Sequence, residues 1–173
     1  SIWYTRTAIS INASIPILDF SAAIENLRFS GIAMDVRIPI FMVMAEQPMA
    51  FRTDARIRNI SFSGFHGTAT AWMLISGLES HPLRNISLSE IDLDMVKGSN
   101  NEAWRREGVP DPINGLWGAC GYETIPCALY IRHAEDVAVD RCSFSWLMPG
   151  KGWRDAMQCS SVKNIHISRT ELM

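Results

Sequence analysis

Apolar and polar residues alternate with a period of two in several similar segments of the chain. Ile60 and Phe62 flank one serine, and Ile86 and Leu88 flank another. A period of two places apolar side chains on one face of an extended strand, whereas a helical stripe needs spacings of three and four. Each segment is therefore predicted to contain a short, half-buried strand. The segments cover residues 24–34, 57–65, 83–93, 134–144 and 162–168.

These segments align without gaps and form an internal repeat. Their third position holds Asn26, Asn59, Asn85, Asp136 and Asn164, which are separated by 33, 26, 51 and 28 residues. A unit of roughly 22 to 30 residues with strands and a turn is typical of the coils of a parallel β-helix. The sequence therefore predicts an all-β solenoid that occupies residues 1–173 as one section.

The repeated asparagine has a mechanical interpretation. A corner with left-handed backbone geometry favours Asn, and stacked Asn amides can bond from one coil to the next. An alternative is that Asn59 and Asn85, each followed by Ile-Ser, are N-glycosylation acceptors that face solvent. Their position inside the strand repeat favours the ladder. One inward column is predicted to contain Phe29, Phe62, Leu88, Val139 and Ile167.

Two excursions interrupt the repeat, at about residues 96–122 and 146–155. The first is rich in Gly, Pro and Asn and contains Trp104, Arg105 and Arg106. Long excursions from a scaffold often carry function. Tryptophan offers a flat apolar face for a sugar ring, and arginine binds a uronate carboxylate bidentately. These three are the predicted substrate-binding residues, although loop tryptophans are more often anchors on a scaffold. The same chemistry of carbohydrate contact is offered by Trp117, Trp146, Trp153 and Arg154.

Composition and charge are those of a globular protein. Hydrophobic residues make up 47% of the chain and charged residues 20%, and the net charge is −2. No basic field points to nucleic acid or to a membrane surface. The longest apolar run, residues 38–45, is far shorter than the roughly 20 residues that span a bilayer. The chain opens at Ser1 without the features of a secretory signal, so we expect a processed chain or part of a longer one.

The sequence gives no pattern of metal or cofactor binding, and none is expected. Cys120 and Cys127 could form a disulfide, or all four cysteines could be thiols, since no C-x-x-C occurs. Asp92 and Asp94 alternate with Leu93 and are predicted to share an outward strand face, which makes them one candidate for a pair of carboxyl groups that act together. A solvated strand face is the favoured interpretation. His66, in Gly-Phe-His-Gly, is interpreted as structural.

The coils resemble those of the family 28 glycoside hydrolases, which include the polygalacturonases and related bacterial pectin hydrolases. The likeness extends over about residues 20–173, and its most telling part is Leu-Tyr-Ile-Arg-His at 129–133. Further similar stretches are residues 24–34, 38–40, 57–63, 82–89, 125–137 and 153–157.

This resemblance implies a right-handed parallel β-helix of which the chain is the C-terminal part. It also implies a secreted or periplasmic enzyme that hydrolyses a pectin-like polysaccharide with inversion. The family's Asn-Thr-Asp, Asp-Asp, Gly-His-Gly and Arg-Ile-Lys motifs do not occur here. No catalytic residue is therefore predicted, and the expected partners are a polysaccharide or oligosaccharide and an N-terminal part of the same protein. The alternative is a noncatalytic β-helix that binds carbohydrate or serves as a structural or adhesin module.

Overall fold

The computed structural model describes residues 7–14, 23–36, 38–45, 55–95, 127–146 and 155–172. Their regular structure is entirely β, and all strand pairs are parallel. Within these ranges there is no helix with the length and apolarity to cross a membrane. The strands are β1 Thr7–Ser14, β2 Ala23–Val36, β3 Ile38–Ala45, β4 Arg56–Ala69, β5 Met73–Ser76, β6 Leu83–Met95, β7 Cys127–Asp140, β8 Ser143–Ser145, β9 Asp155–Ser168 and β10 Glu171–Leu172.

Strands from successive repeats stack in register and form three columns of one continuous sheet. The first column contains β1, β3, β5, residues 127–132 of β7 and residues 155–160 of β9. The second contains residues 23–30, 56–63, 83–89, 134–140 and 162–168. The third contains residues 32–36, 65–69 and 91–95 with β8 and β10. The chain passes through the second, third and first columns in turn, which is a solenoid-like arrangement and confirms the predicted all-β class.

Two kinds of left-handed corner recur along the second column, and a third occurs at His133 and Ser161, between the first and second columns of the last two coils. The first corner interrupts the second column, and its residues have φ between 53° and 59°. Asn and Asp tolerate this conformation better than other residues with a side chain, because their short polar group bonds locally. These residues are Asn26, Asn59, Asn85, Asp136 and Asn164, so the predicted equivalence of the corners is confirmed.

The second corner separates the second column from the third. Gly31 and Gly64 occupy it in the first two coils with φ of 66° and 64°. Glu90, Arg141 and Arg169 occupy it in the later coils with φ of 55°, 51° and 46°. The later coils therefore adopt left-handed geometry without a glycine, which only the surrounding stack can impose.

The predicted asparagine ladder is present. Asn59 Nδ2 donates to Asn26 Oδ1 at 2.9 Å, and Asn85 Nδ2 donates to Asn59 Oδ1 at 2.9 Å. In the later coils, Asn164 Nδ2 donates to Asp136 Oδ1 at 3.0 Å. Each of these amides donates its hydrogen bond to the preceding coil. The Asp136 carboxylate has no N–H group, so it cannot donate to Asn85 in the coil before it. The ladder consequently consists of two segments, and its use of the amide nitrogens disfavours the glycosylation interpretation.

The predicted inward column is confirmed in register. Phe29, Phe62, Leu88, Val139 and Ile167 are consecutive Cα partners. The middle three side chains are buried, and the rings of Phe29 and Phe62 stack with centroids 5.4 Å apart. Ile167 is 45% exposed because its strand, β9, is paired on one side only among the described residues.

The first column is apolar on both faces in β3, β5 and the beginning of β7. Ile40, Met42 and Met44 point into the core, whereas Phe41 and Val43 belong to a separate buried cluster on the opposite face. That outer cluster also contains Ile38, Ala71, Trp72, Leu74, Cys127 and Tyr130. Burial on both faces explains why residues 38–45 form a continuous apolar run rather than an alternating one. The period-two pattern of the other strands did not predict this cluster.

We expect Asn59→Ala to lower the free energy of unfolding by about 2 kcal/mol, because it removes two ladder hydrogen bonds and leaves a Cβ in left-handed geometry. Asn59→Gly loses the same bonds but accepts the backbone, so we expect a smaller loss, about 1 kcal/mol. Urea denaturation of both variants measures the difference. Equal losses would show that the corner conformation contributes nothing.

Gly67 lies where a side chain cannot be accommodated. Its φ is 137°, and a Cβ there would lie 1.9 Å from the carbonyl oxygen of Met34. We expect Gly67→Ala to cost about 3 kcal/mol or more in thermal unfolding, since strain and overpacking add. The matched control is Gly31→Ala, where no atom lies within 4 Å of the added Cβ, so only the φ of 66° is unfavourable. A control as damaging as Gly67→Ala would contradict this explanation.

Candidate functional site

The predicted substrate-binding residues, Trp104, Arg105 and Arg106, lie outside the described residues. The structure does give the positions where their excursion joins the stack. It leaves the third column after Met95, the end of β6, and enters the first column at Cys127, the start of β7. These two ends fix which corner of the coil carries the excursion.

The second excursion joins the stack at the same corner of the next coil. It follows Ser145, the end of β8, and precedes Asp155, the start of β9. Asp94 is the register partner of Ser145, and Cys127 is the partner of Asp155. Neighbouring strands lie about 4.8 Å apart. The two excursions therefore begin beside each other and end beside each other, although 50 residues of sequence separate their starting points.

Trp146, which begins the second excursion, is a structural anchor in this fold. Its side chain is half-buried and packs against the main hydrophobic core. Trp72, which the sequence reading did not single out, is 5% exposed and packs near Phe41 at a centroid distance of 6.2 Å. Trp72 is therefore too deeply buried to present an open face to a sugar ring.

Asp92 and Asp94, the acid pair of the third column, agree with the interpretation that they lie on a solvated strand face. Asp92 is exposed, as predicted, between the buried side chains of Ile91 and Leu93. Asp94, on the same face, accepts a hydrogen bond from the hydroxyl of Ser145 one coil away. Its carboxylate is thus engaged between coils.

The same arrangement of carboxylate and hydroxyl occurs earlier in this column. Thr68 donates its hydroxyl to Asp35 at 2.5 Å, and Asp35, Thr68, Asp94 and Ser145 are consecutive register partners. Acidic and hydroxyl side chains therefore alternate from coil to coil at this register position. Each of the two carboxylates accepts a hydrogen bond from a hydroxyl group, and neither has another carboxylate as its register partner. This pattern stabilises the face and does not present two acids to one bond.

His66 lies in a motif whose glycines have structural roles. Gly64 forms a left-handed corner, and Gly67 makes close contact with the backbone of the preceding coil. His66 itself is exposed and is the register partner of Asp92. Among the described residues, no group of three or more His, Cys, Asp or Glu side chains is arranged to hold a metal ion.

A charged cluster surrounds Asp140, where the last two described coils meet. Ser168 Oγ donates to Asp140 Oδ1 at 2.7 Å, and Arg169 donates from Nε and Nη2 at 3.2 and 3.1 Å. Arg141 approaches the same carboxylate at 3.4 Å and pairs with Glu90 at 2.8 Å. The hydrogen bond from Ser168, followed by the charges of Arg141 and Arg169, holds the pKa of Asp140 below its ordinary value.

A second charged column runs beside the asparagine ladder. Glu25 binds Arg56 and also Arg58, whose Nε lies 2.9 Å from Oε1. The hydrogen bond from Arg56, reinforced by Arg58, lowers the pKa of Glu25. Further along, Glu135 pairs with Arg84 and Lys163, each at 3.1 Å. Acidic and basic residues do not alternate strictly along this column. In its first three coils the basic residues outnumber the acidic ones.

A groove of about 320 Å³ follows the other side of the ladder over the first three coils. It is lined by Asn26, Leu27, Arg28, Asn59, Ile60, Ser61, Asn85 and Ser87. Arg28, Ser61 and Ser87 occupy the same repeat position and are register partners. The sequence analysis missed this groove, although its signal was present: the position two residues after Asn26, Asn59 and Asn85 holds Arg, Ser and Ser, which are all polar.

The cysteines do not form a reactive centre in the part of the chain that the structure describes. Cys142 is a buried thiol whose pKa is raised by burial, and it donates weakly to the carbonyl of Leu88 at 3.7 Å. Cys120, one half of the possible disulfide with Cys127, lies outside the described residues.

Comparisons with protein-family models, curated proteins and solved structures found no match to this chain. Function is therefore inferred from the residues themselves and from the arrangement in which the coils hold them.

The Asp140 cluster predicts a specific pH dependence. A carboxyl group with a lowered pKa in the folded state stabilises the fold above its unfolded pKa of about 3.9, and this contribution disappears as pH falls through the lower folded value. We expect wild type to exceed Asp140→Asn in urea midpoint at about pH 6, and we expect the difference to shrink as the pH falls below about 3.9. A difference that is unchanged by acid would contradict the ion-pair explanation.

Proposed function

We propose that this chain is a C-terminal section of a right-handed parallel β-helix glycoside hydrolase that acts on a pectin-like, galacturonate-containing polysaccharide. The inverting Asp residues would lie on an N-terminal part of the same protein, which would be secreted or periplasmic. The section described here supplies coils and excursions that hold the polysaccharide beside the catalytic part.

The scaffold supports this proposal because a parallel β-helix hydrolase needs coils of parallel strands that stack in register, and the described strands stack in this way. Parallel strands, left-handed Asn corners and a ladder between coils give a rigid stack on which loops can be held at fixed positions. The stretch most similar to the pectin hydrolases, residues 129–133, spans the junction between the first and second columns.

The observation that carries the proposal is the shared corner of the two excursions. Both connect the third column to the first, on neighbouring coils, and the longer one contains Trp104, Arg105 and Arg106. Two long connections at one corner of a regular stack are the expected form of a binding site on a scaffold. Guanidinium groups bind uronate carboxylates, and an indole ring covers the apolar face of a sugar.

A binding role also agrees with the carboxylates of the described coils. Hydrolysis of a glycosidic bond needs two carboxyl groups that face the bond from opposite sides. Asp94 and Asp35 are bonded to hydroxyl groups, and Asp140 is surrounded by arginines. These acids stabilise contacts between coils, so the proposal assigns cleavage to the preceding part.

We expect Arg105→Ala combined with Arg106→Ala to weaken binding of oligogalacturonate about tenfold or more, because a charged hydrogen bond contributes roughly 1.5 to 3 kcal/mol. The salt dependence of binding should also become flatter. Isothermal titration calorimetry of both proteins measures these changes, and thermal unfolding should be nearly unaltered.

The charge-matched control is Lys163→Ala combined with Arg169→Ala, which removes two positive charges from the last coil. It should leave oligogalacturonate affinity within about twofold. Equal affinity of wild type and the Arg105, Arg106 variant would place the sugar site elsewhere. Release of reducing ends from polygalacturonate by this chain alone would contradict the assignment of catalysis to another part.

A further inference from the structure

We infer that the groove beside the asparagine ladder is a second saccharide site, which binds a short uronate-containing oligosaccharide along the axis of the stack. This inference rests on the proposed function for its class of ligand. It concerns a different surface, because the groove lies along the second column, whereas both excursions join the third column to the first.

The groove has one wall of amide groups. Asn26, Asn59 and Asn85 line it, and the ladder uses one N–H of each donating Nδ2. A primary amide carries two N–H groups, so a second donor remains on Asn59 and on Asn85. The ladder also fixes the side chains, so ordering them costs a ligand little additional entropy.

The opposite side is formed by the aligned position that holds Arg28, Ser61 and Ser87. Coils repeat at about 4.8 Å, which is close to the length of one sugar unit in an extended chain. Amide and hydroxyl groups thus recur at the spacing of the hydroxyl groups of a saccharide. The groove volume of about 320 Å³ lies at the small end of ligand sites and suits a disaccharide.

Arg28 gives the groove its preference for an acid. It takes part in none of the ion pairs formed within the described part of the chain, and the lining contains no carboxylate. A carboxylate can accept two parallel N–H bonds from a guanidinium that has no other acid partner.

The site is limited to the first three coils, because the fourth coil has different residues at both lining positions. There the ladder position holds Asp136 instead of Asn, and the position aligned with Arg28 holds Ala138. A carboxylate at this end repels an anionic ligand, while Arg28 attracts one at the other end. The uronate carboxylate is therefore expected at Arg28, with sugar hydroxyl groups directed to Ser61 and Ser87.

A nucleic acid fits the groove less well. Its lining has no aromatic ring on which bases could stack, and one arginine cannot follow a run of phosphates.

The test is a titration of the 173-residue chain with digalacturonate, followed by NMR of the asparagine side-chain amides and by calorimetry. We expect the resonances of Asn59 and Asn85 to shift on binding. Arg28→Gln should weaken this response about tenfold, and Ser61→Gln, which fills the groove, should abolish it. The charge-matched control is Arg141→Gln. Arg141 pairs with Glu90 and Asp140, so its replacement should leave the shifts of the asparagine amides unchanged.

Further ligands separate the sources of binding. The methyl ester of digalacturonate keeps the hydroxyl groups but loses the charge, so it should bind about tenfold more weakly, and sulfate should not reproduce the amide shifts. Sulfate binding equal to that of digalacturonate would overturn the saccharide assignment.

Two negative outcomes distinguish this site from the proposed function. If digalacturonate binds but only the Arg105, Arg106 variant loses affinity, the groove inference is wrong and the proposed function stands. If the Arg28 variant alone loses affinity, the groove is the uronate site and the excursion is not. Absence of any uronate binding by wild type overturns the ligand class on which both depend.

Discussion

The left-handed corner residue at the start of each repeat is the constraint on which the rest of the structure depends. A parallel coil must turn sharply without losing strand register, and a residue such as Asn59, with φ of 57°, turns the chain within one position. Once the corners of neighbouring coils align, their amides bond at 2.9 Å and fix the vertical register. Within each of the two ladder segments the inward and outward assignments then follow, because a slip by one residue would reverse the faces.

Register converts a weak local pattern into a core. The alternation in a single repeat buries little, but stacking puts Phe62 between Phe29 and Leu88 and excludes water from all sides of its ring. Burial of such a side chain stabilises the fold by about 1.5 to 3 kcal/mol. The outermost described strands lack one neighbour, which is why Leu27 and Ile165 are 38% and 36% exposed at equivalent positions. Each coil therefore depends on its neighbours rather than on its own contacts.

Outward positions of the second and third columns are free of this packing constraint, and they carry the chemistry. One column alternates acid and hydroxyl, one combines Glu25 and Glu135 with basic residues, and one lines the groove with Arg28 and serines. The coil spacing repeats these groups at regular intervals, which suits ligands that are themselves repeating chains. The proposed excursion site and the proposed groove site use this same property of the scaffold on different faces.

The sequence by itself determined the strands, the Asn corners and the inward column, because these depend on local residue type and a period of two. It also determined that Asp92 and Asp94 share an outward face. Only the tertiary structure decided that Arg141 and Arg169 adopt left-handed corners and meet at Asp140, and that Arg28, Ser61 and Ser87 line one groove. Apart from the contact of Arg141 with the adjacent Asp140, these residues are about 30 positions apart. Their geometry depends on coil stacking, which no local pattern encodes. The buried outer face around Phe41 was decided in the same way, since an apolar run does not state what will cover it.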